Sequence, residues 1–407
     1  MRHLGLAVVV LLGLLIPAGC STSVRTSENA PIVRVRILEN QEQVLVAASS
    51  APIISSSGEN GSHQLDFPRG GVPVTLSSAG WRIGSASLPS GELTIKPQQV
   101  GAVSVNGSAY RGRYRFVPNP SAPTRFDVIN DVDIDSYLMS VVSKELLHDW
   151  LPETYKAQAI VARTYALYEA RIRGSNKSYD LEDDDRSQVY GGIAAESSIS
   201  RTSVMDTAGI VVAYGPQGSE RIFKAYFSSC CGGIGQSAYD AFGDPDIPPL
   251  RAKNAGTLCN ASPRFNWGPI VISKTELTRR IRNWGTNTGQ PEKDMDGLAR
   301  IDIAPGGAVT GRPVRFLITD TSGRQYSVSG EQLRWAVNGA KADQPKLNSS
   351  FVTPVTTPDT IQFVEGHGWG HGVGMCQWCA QAMAQRGQRA EYIVRVSYPG
   401  AVLVRAY

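Results

Sequence analysis

The tightest constraint on this chain's fold is a pair of adjoining segments, "DIDSYLMSVVSKELLHDW" (residues 133–150) and "LPETYKAQAIVARTYALYEARIRG" (151–174). Both repeat apolar residues at helical spacing, and Pro152 divides them, because a proline ring fits the first turn of a helix and breaks its interior. In the second segment Ile160, Thr164, Leu167 and Ile172 fall on one stripe, Pro152 and Glu153 suit an opening turn, and Gly174 suits the stop. Ala157, Ala159, Ala162, Ala166 and Ala170 predict a helix that lies close against its neighbours.

Around this helical centre the texture is different. Residues 32–125 hold short β-type runs ("PIVRVRIL", "QVLVAAS", "GVPVTLS", "ELTIKP", "YRGRYRFV") between Gly, Ser and Pro turns, which predicts a β-rich region without a catalytic cluster. Beyond 174 come a polar loop, "DLEDDDRSQVYGG", and a strand running into a glycine turn, "RIFKAYFSSCCGGIG". Residues 270–350 add helices ("KTELTRRIRNW", "GEQLRWAV") among strands ("ARIDIAP", "VRFLITD", "QYSV"), and 353–357 read as a Pro/Thr-rich connector. The alternation is too irregular for a doubly wound parallel sheet, and the fold class that follows is α+β: a β-rich N-terminal region, then a mixed domain around an Ala-rich central helix.

A hydrophobic content of 42% with 19% charged residues belongs to a folded chain. The net charge of +4 is spread along the sequence, which argues against a nucleic-acid surface and leaves room for an anionic polymer. The first residues, "MRHLGLAVVVLLGLLIPAGCS", have a basic start, an apolar run from Leu4 to Ile16 and small residues before Cys20. The run is too short to span a bilayer, so 1–20 read as a signal peptide with a lipobox, Cys20 as its lipidation site and 21–31 as a tether to the membrane. Export to the cell envelope puts Cys230, Cys231, Cys259, Cys376 and Cys379 in an oxidising compartment, and their odd number leaves at least one outside any pairing.

The segment "GHGWGHGVGMCQWCAQAMAQRG" (366–387) gathers the remaining chemistry. It lacks the Lys-Ser/Thr end of a phosphate loop. His367 and His371 have zinc-motif spacing, but glycines at 366, 368, 370, 372 and 374 oppose a helix there and no Glu lies between the two. The glycines instead let backbone approach a ligand or another strand closely. Cys376 and Cys379 form a C-x-x-C step, a spacing shared by redox pairs, zinc half-sites and disulfides; Cys376 with His371 would form a thiol-hydrolase dyad if the two were in hydrogen-bond reach. In "VVSKELLHDW", Glu145 is either a solvated helix carboxylate or, in an apolar setting, a general acid with a raised pKa.

These motifs converge. "YLMSVVSKEL…ETYKAQAIVARTYAL" resembles the signature of the sporulation protein D/amidase enhancer (SpoIID/LytB) family, and "SQVYGG" (187–192), "DTAGIVVAY" (206–214), "AYFSSCCGG" (225–233) and the glycine-rich 366–387 stretch with its later Tyr-Pro-Gly follow in that family's order. The resemblance covers roughly 125–407. It implies a domain over 126–407, with an insertion at about 260–350, that acts on peptidoglycan glycan strands as a lytic transglycosylase, cleaving the MurNAc–GlcNAc bond to leave a 1,6-anhydro end. The alternative it carries is a non-catalytic, wall-binding enhancer of a cell-wall amidase, the amidase being its partner.

Transferred residue by residue, the resemblance makes Glu145 the catalytic acid and gives Lys156 and Arg163 the glycan or its carboxylates. Gln188, His371 and Gln377 become candidates to line the cleft, or to brace the glycine-rich loop. The single carboxylate fits, because the substrate's own C6 hydroxyl replaces the water that a hydrolase positions with a second one. Some members bind zinc through a Cys and a His-Cys pair ahead of "SQVYGG"; Arg186 and Ser187 stand there instead, so no cofactor and no metal are expected from that motif. Cys379 stands where a Gly is usual, and a disulfide from Cys376 to Cys231 or Cys259 is a further expectation. On this reading the 366–387 stretch is a wall of the glycan cleft, neither a metal site nor a thiol site.

Overall fold

The computed structural model describes residues 29–407, except 59, 69, 99–101, 174–176, 185, 310 and 340–343. The signal peptide, Cys20, most of the tether and Gly174 lie outside the described residues. Among the described residues no helix is long and apolar enough to cross a membrane.

The fold is α+β, strand-rich at its N-terminal end. The long strand Ile32–Gln41 lies antiparallel to Ala122–Asp133, with Val33 opposite Val132 and Val35 opposite Asn130. Arg113–Asn119 pairs with the other edge of that strand, within a seven-stranded sheet. Val33, Val35 and Ile37 alternate inward along the first strand, as a sheet with one buried face requires. A six-stranded sheet built from residues 43–109 covers this face. Trp81 joins the two layers, with its ring 5.1 Å from Phe126 and 6.2 Å from Phe116. All three side chains are essentially without exposure, and each contributes about 1.5–3 kcal/mol by burial.

Among the described residues eight α-helices follow: α1 (Ile134–Glu145), α2 (Pro152–Arg173), α3 (Ser198–Asp206), α4 (Ala238–Phe242), α5 (Lys274–Thr288), α6 (Gly330–Asn338), α7 (Gln377–Gln385) and α8 (Ala390–Ser397). Asp133 caps α1, its carboxylate accepting from Ser136 N–H at 2.9 Å. From Tyr155 to Ala166 only Lys156 of α2 keeps appreciable exposure, whereas Ile172 is 65% exposed, so the stripe read from the sequence ends before that residue. The alanines allow neighbours close on several sides, and α2 is central for that reason: α1, α3, α7, α8 and the strand Ile210–Tyr214 all contact it.

The β-rich region and the helical centre share one continuous core, and the 125/126 boundary read from the sequence falls inside the strand Ala122–Asp133. The N-terminal strand also anchors the polar loop that follows α2. Arg34 pairs with Asp180 at 2.6 Å and Arg36 with Glu182 at 2.8 Å, while Val35 and Leu181 lie side by side in parallel pairing. A second, separate core of Leu277, Ile281, Phe316, Ile318, Leu333 and Phe363 forms within 267–363. Residues 353–357, expected as a connector, instead supply the strand Thr353–Thr356, paired with Thr360–Val364. Pro354 is tolerated there because the strand is at a sheet edge.

Candidate active site

A cleft of about 970 Å³ opens between the helical centre and the second core. Glu145 lies in it, at the last residue of α1. Its Oε1 accepts from the backbone N–H of Val189 and its Oε2 from the amide of Gln377, both at 3.4 Å. Among the described residues no ion pair reaches this carboxylate. Burial raises its pKa above the ordinary carboxylate value, and the two hydrogen bonds, which favour the charged form, offset only part of that rise.

The supports of Glu145 come from distant segments. Gln188 is buried: its Oε1 accepts from Tyr137 at 3.1 Å and its amide donates to the carbonyl of Ala162 at 3.4 Å. It pins the "SQVYGG" loop across α1 and α2, which aims the next residue's N–H at Glu145. Gln377 is also buried, reaching Gln158 on α2 at 3.5 Å as well as Glu145. These two residues position the acid, with Gln377 also on the cleft wall.

The structure places the remaining expected residues elsewhere in the site or away from it. His371 lines the cleft, in edge contact with Tyr226 and Phe242. Its Nδ1 accepts from Val373 N–H at 3.0 Å, which puts the ring proton on Nε2. Burial pushes its pKa down to about 4, so the imidazole is neutral at physiological pH. His367 faces Phe351 instead, with ring centroids 4.7 Å apart, so the two histidines are held by different partners.

Arg163 has no exposed surface. It pairs with Asp135 at 3.0 Å and donates to Tyr407 and to the carbonyls of Val204 and Ile210, so it ties α2 to α1, α3 and the Ile210–Tyr214 strand and does not reach the cleft. Lys156 is turned to Asp206 (2.9 Å) and Glu153 (3.5 Å) and is likewise not a cleft residue. A glycan contact by Arg163 conflicts with this placement, because every donor it has is spent inside the fold.

The cleft also holds residues that the sequence reading passed over. Trp335 on α6 and Trp369 in the glycine-rich loop are 45% and 48% exposed. Arg186, Lys224, Arg334 and Lys346 bring positive charge to the lining, against Glu145 and Asp244, the latter bonded by Tyr226 Oη at 2.7 Å. Trp335, Arg334 and Lys346 come from the second core, and only the folding of that insertion over the cleft brings them there. Trp369 stands in the quoted "GHGWGH" run, but a lone Trp among glycines carries no directional signal.

The glycine-rich loop forms a wall because glycines alone fit its path. Gly368, Gly370, Gly372 and Gly374 all have φ between 73° and 90°. A Cβ on Gly374 would stand 1.8 Å from the carbonyl oxygen of Tyr226, and one on Gly372 would stand 2.3 Å from the guanidinium of Arg312. The two cysteines that follow are not merely wall. Cys376 and Cys379 lie beside Cys231 and Cys259, with Cys231 Sγ 3.6 Å from Cys259 Sγ and 3.9 Å from Cys379 Sγ. Where the sequence suggested neither a metal site nor a thiol site, four thiols converge, from segments that sequence spacing keeps far apart.

With this geometry in place, comparison with known proteins is informative. Residues 122–214 match the SpoIID family model, described as stage II sporulation protein; they contain α1, α2, α3 and the "SQVYGG" loop. An uncharacterized protein of Brachyspira hyodysenteriae is 28% identical over 74% of this chain and 74% of its own length. The stage II sporulation protein D of Bacillus subtilis is 25% identical over 77% of this chain and 84% of its own. The amidase enhancer of the same organism is 25% identical over 76% of this chain, but the match spans 46% of that longer protein.

Proposed function

This chain carries a SpoIID-family domain, and from that premise we propose that it acts on the bacterial cell wall as a peptidoglycan lytic transglycosylase, with Glu145 as general acid and base. One observation carries the reading: a carboxyl in an open cleft, with its pKa raised by burial and, among the described residues, no ion pair to it. Such a group keeps its proton to higher pH than an ordinary carboxylate and has somewhere to deliver it.

In the proposed reaction Glu145 gives its proton to the glycosidic oxygen as the bond from the muramic C1 to that oxygen breaks. The muramic C6 hydroxyl forms the new bond to C1, and its proton passes to the Glu145 carboxylate, which restores the acid. No water is consumed, and no second carboxylate is required. Val189 N–H and Gln377 hold the carboxylate during the half of the cycle in which it is charged. Trp335 and Trp369 offer flat apolar faces to pyranose rings, and the basic lining suits the lactyl and stem-peptide carboxylates of the polymer. Envelope location and the lipid anchor at Cys20 belong to the same proposal.

The printed name of one relative, amidase enhancer, favours a second reading, in which the cleft grips glycan and Glu145 is idle. Digestion of intact and amidase-treated sacculi, read by mass spectrometry, separates the two. Anhydro-muramyl products from the parent and none from Glu145→Gln support the lyase; products from neither, on either wall, leave the enhancer.

A further inference from the structure

The four thiols beside the cleft are independent of the glycan-cleaving reading. Cys231 follows the short strand Phe227–Ser228, Cys259 sits in a loop of turns, Cys376 ends the strand Met375–Cys376, and Cys379 is in the first turn of α7. Parallel pairing of Ser228 with Cys376 brings the first and last of these segments together. All four side chains are buried, and their sulfurs lie within 4.8 Å of one another. A tetrahedral ion with zinc–sulfur bonds of about 2.3 Å needs sulfurs spaced at about 3.8 Å. The separations of 3.6 and 3.9 Å from Cys231 to Cys259 and Cys379 straddle that value.

Two further features suit four sulfur ligands around a cation. The Sγ of Cys376 accepts from the backbone N–H of Cys231 and from that of Cys379, both at 3.4 Å, an arrangement that stabilises a thiolate and orients it. The second feature is charge. Lys253 Nζ is buried with no hydrogen-bond partner, and it lies within electrostatic reach of Cys231, Cys376 and Cys379. Arg312 is buried too; its guanidinium donates to the carbonyls of Cys231 (3.4 Å), Ile234 (2.9 Å) and His371 (3.1 Å), and its Nε has no partner. Neither cation belongs to an ion pair among the described residues. Burial disfavours the charge on both, and at Arg312 the nearby Glu331 offsets part of that cost. Four thiolates around one divalent ion carry two negative charges, which would face Lys253 directly and add to the field of Glu331 at Arg312.

We propose that Cys231, Cys259, Cys376 and Cys379 bind one tetrahedral divalent ion, zinc by its preference for a four-sulfur set. Four thiols release their protons to solvent as the ion binds, with no change of oxidation state. The ion is structural, since all four positions are filled by protein. Its effect on the cleft is geometric: Gln377, which reaches Glu145, lies between two of the ligands, and Arg312 extends the same support to the His371 carbonyl. Cys230 is left out, directed instead to the carbonyl of Cys259 at 3.9 Å.

The test is metal content and thiol state of the full chain, with no activity readout. Mass spectrometry of elements is expected to find one zinc per chain. Cobalt exchange should give the sulfur-to-metal charge-transfer and ligand-field bands of a tetrahedral tetrathiolate. Denaturation with alkylating agent and no reductant, followed by peptide mapping, should find all four ligand cysteines alkylated. Cys259→Ser should lose the ion, Cys230→Ser should keep it, and removal of zinc by a chelator should lower Tm by about 10 °C or more. Disulfides among the four in the mapped native protein would overturn the proposal, as would failure of the reduced chain to take up zinc. The mapping and exchange use the native chain, so they decide the matter even if Cys259→Ser does not fold.

Discussion

The two ends of α1 each carry a carboxylate, one buried and one half-buried at the cleft, and they treat it in opposite ways. At the start, Asp135 has no exposure and receives the Arg163 guanidinium at 3.0 Å and the Tyr407 hydroxyl at 2.8 Å. At the end, Glu145 receives two neutral donors at 3.4 Å and, among the described residues, no ion pair. The first arrangement is an ion pair that the fold closes over. The second leaves the proton free to move, in an open cleft. A buried carboxylate paired with a cation deep in the fold is architecture, and one held by neutral donors alone beside solvent is available for chemistry.

The largest effect expected from this contrast is structural. Arg163→Met leaves Asp135 buried without its cation, and loss of one member of a buried pair costs about 3–5 kcal/mol. Denaturant unfolding is expected to show a loss of that size, enough to threaten folding. A variant that stays as stable as the parent while failing to bind glycan would return Arg163 to the substrate.

Glu145→Gln is expected to do the reverse. Loss of general acid catalysis lowers the rate by about 10²–10⁴-fold, while stability at neutral pH is kept or improved. The raised pKa explains the sign. Glu145 in the folded chain binds its proton more tightly than in the unfolded chain, so its contribution is full below the ordinary carboxylate value and is lost as pH rises through the folded value. Glutamine, neutral at every pH, escapes that loss. Cleavage by the parent should fall with rising pH over the same window. Wild-type turnover by the Gln variant would show that the unpartnered end of the helix is not the acid.

His371 extends the comparison to a cation kept discharged. Its folded pKa of about 4 lies below the ordinary value of 6.5, with burial the largest cause; Arg334 and Arg312 also disfavour the charge, and Glu331 opposes them. The unfolded chain therefore takes up this proton first, and stability falls as pH drops from 6.5 toward 4. The ring is partly open to the cleft, which limits the effect to the order of 1–2 kcal/mol. Thermal melts of His371→Gln should show a flatter acid limb than the parent; identical limbs would place the acid sensitivity elsewhere.

What could be read from sequence follows from how local each signal is. The break between α1 and α2 was legible, because Pro152 enforces it within one turn. The strands of 32–125 were legible for the same reason, their alternation being a property of adjacent residues. Partnership was not. Asp135 lies 28 residues from Arg163, and nothing in either neighbourhood says that the two meet, so a charge that the fold consumes looked like one offered to a ligand. The four thiols show the same blindness from the other side. Cys376 and Cys379 were visible as half a site, but Cys231 lies 145 residues away and Cys259 reaches the cluster through a loop of turns. Thr353–Thr356 looked like a connector because only an edge strand accepts Pro354, and edges are assigned by neighbours.

The smallest effect separates the remaining helix cation from both ends of α1. Lys156 is neither sealed in like Arg163 nor placed in the cleft; it sits on the surface of α2 with its ammonium against Asp206 and Glu153, and its side chain is 26% exposed. Pairs of this kind are worth about 0.2–1 kcal/mol. Lys156→Ala should therefore lower stability by no more than that and leave glycan cleavage within about twofold of the parent, a change of less than about 0.5 kcal/mol in barrier. A tenfold loss of cleavage with stability unchanged would mean that the ammonium leaves Asp206 to meet the polymer, and that the glycan runs past the cleft onto the face of α2.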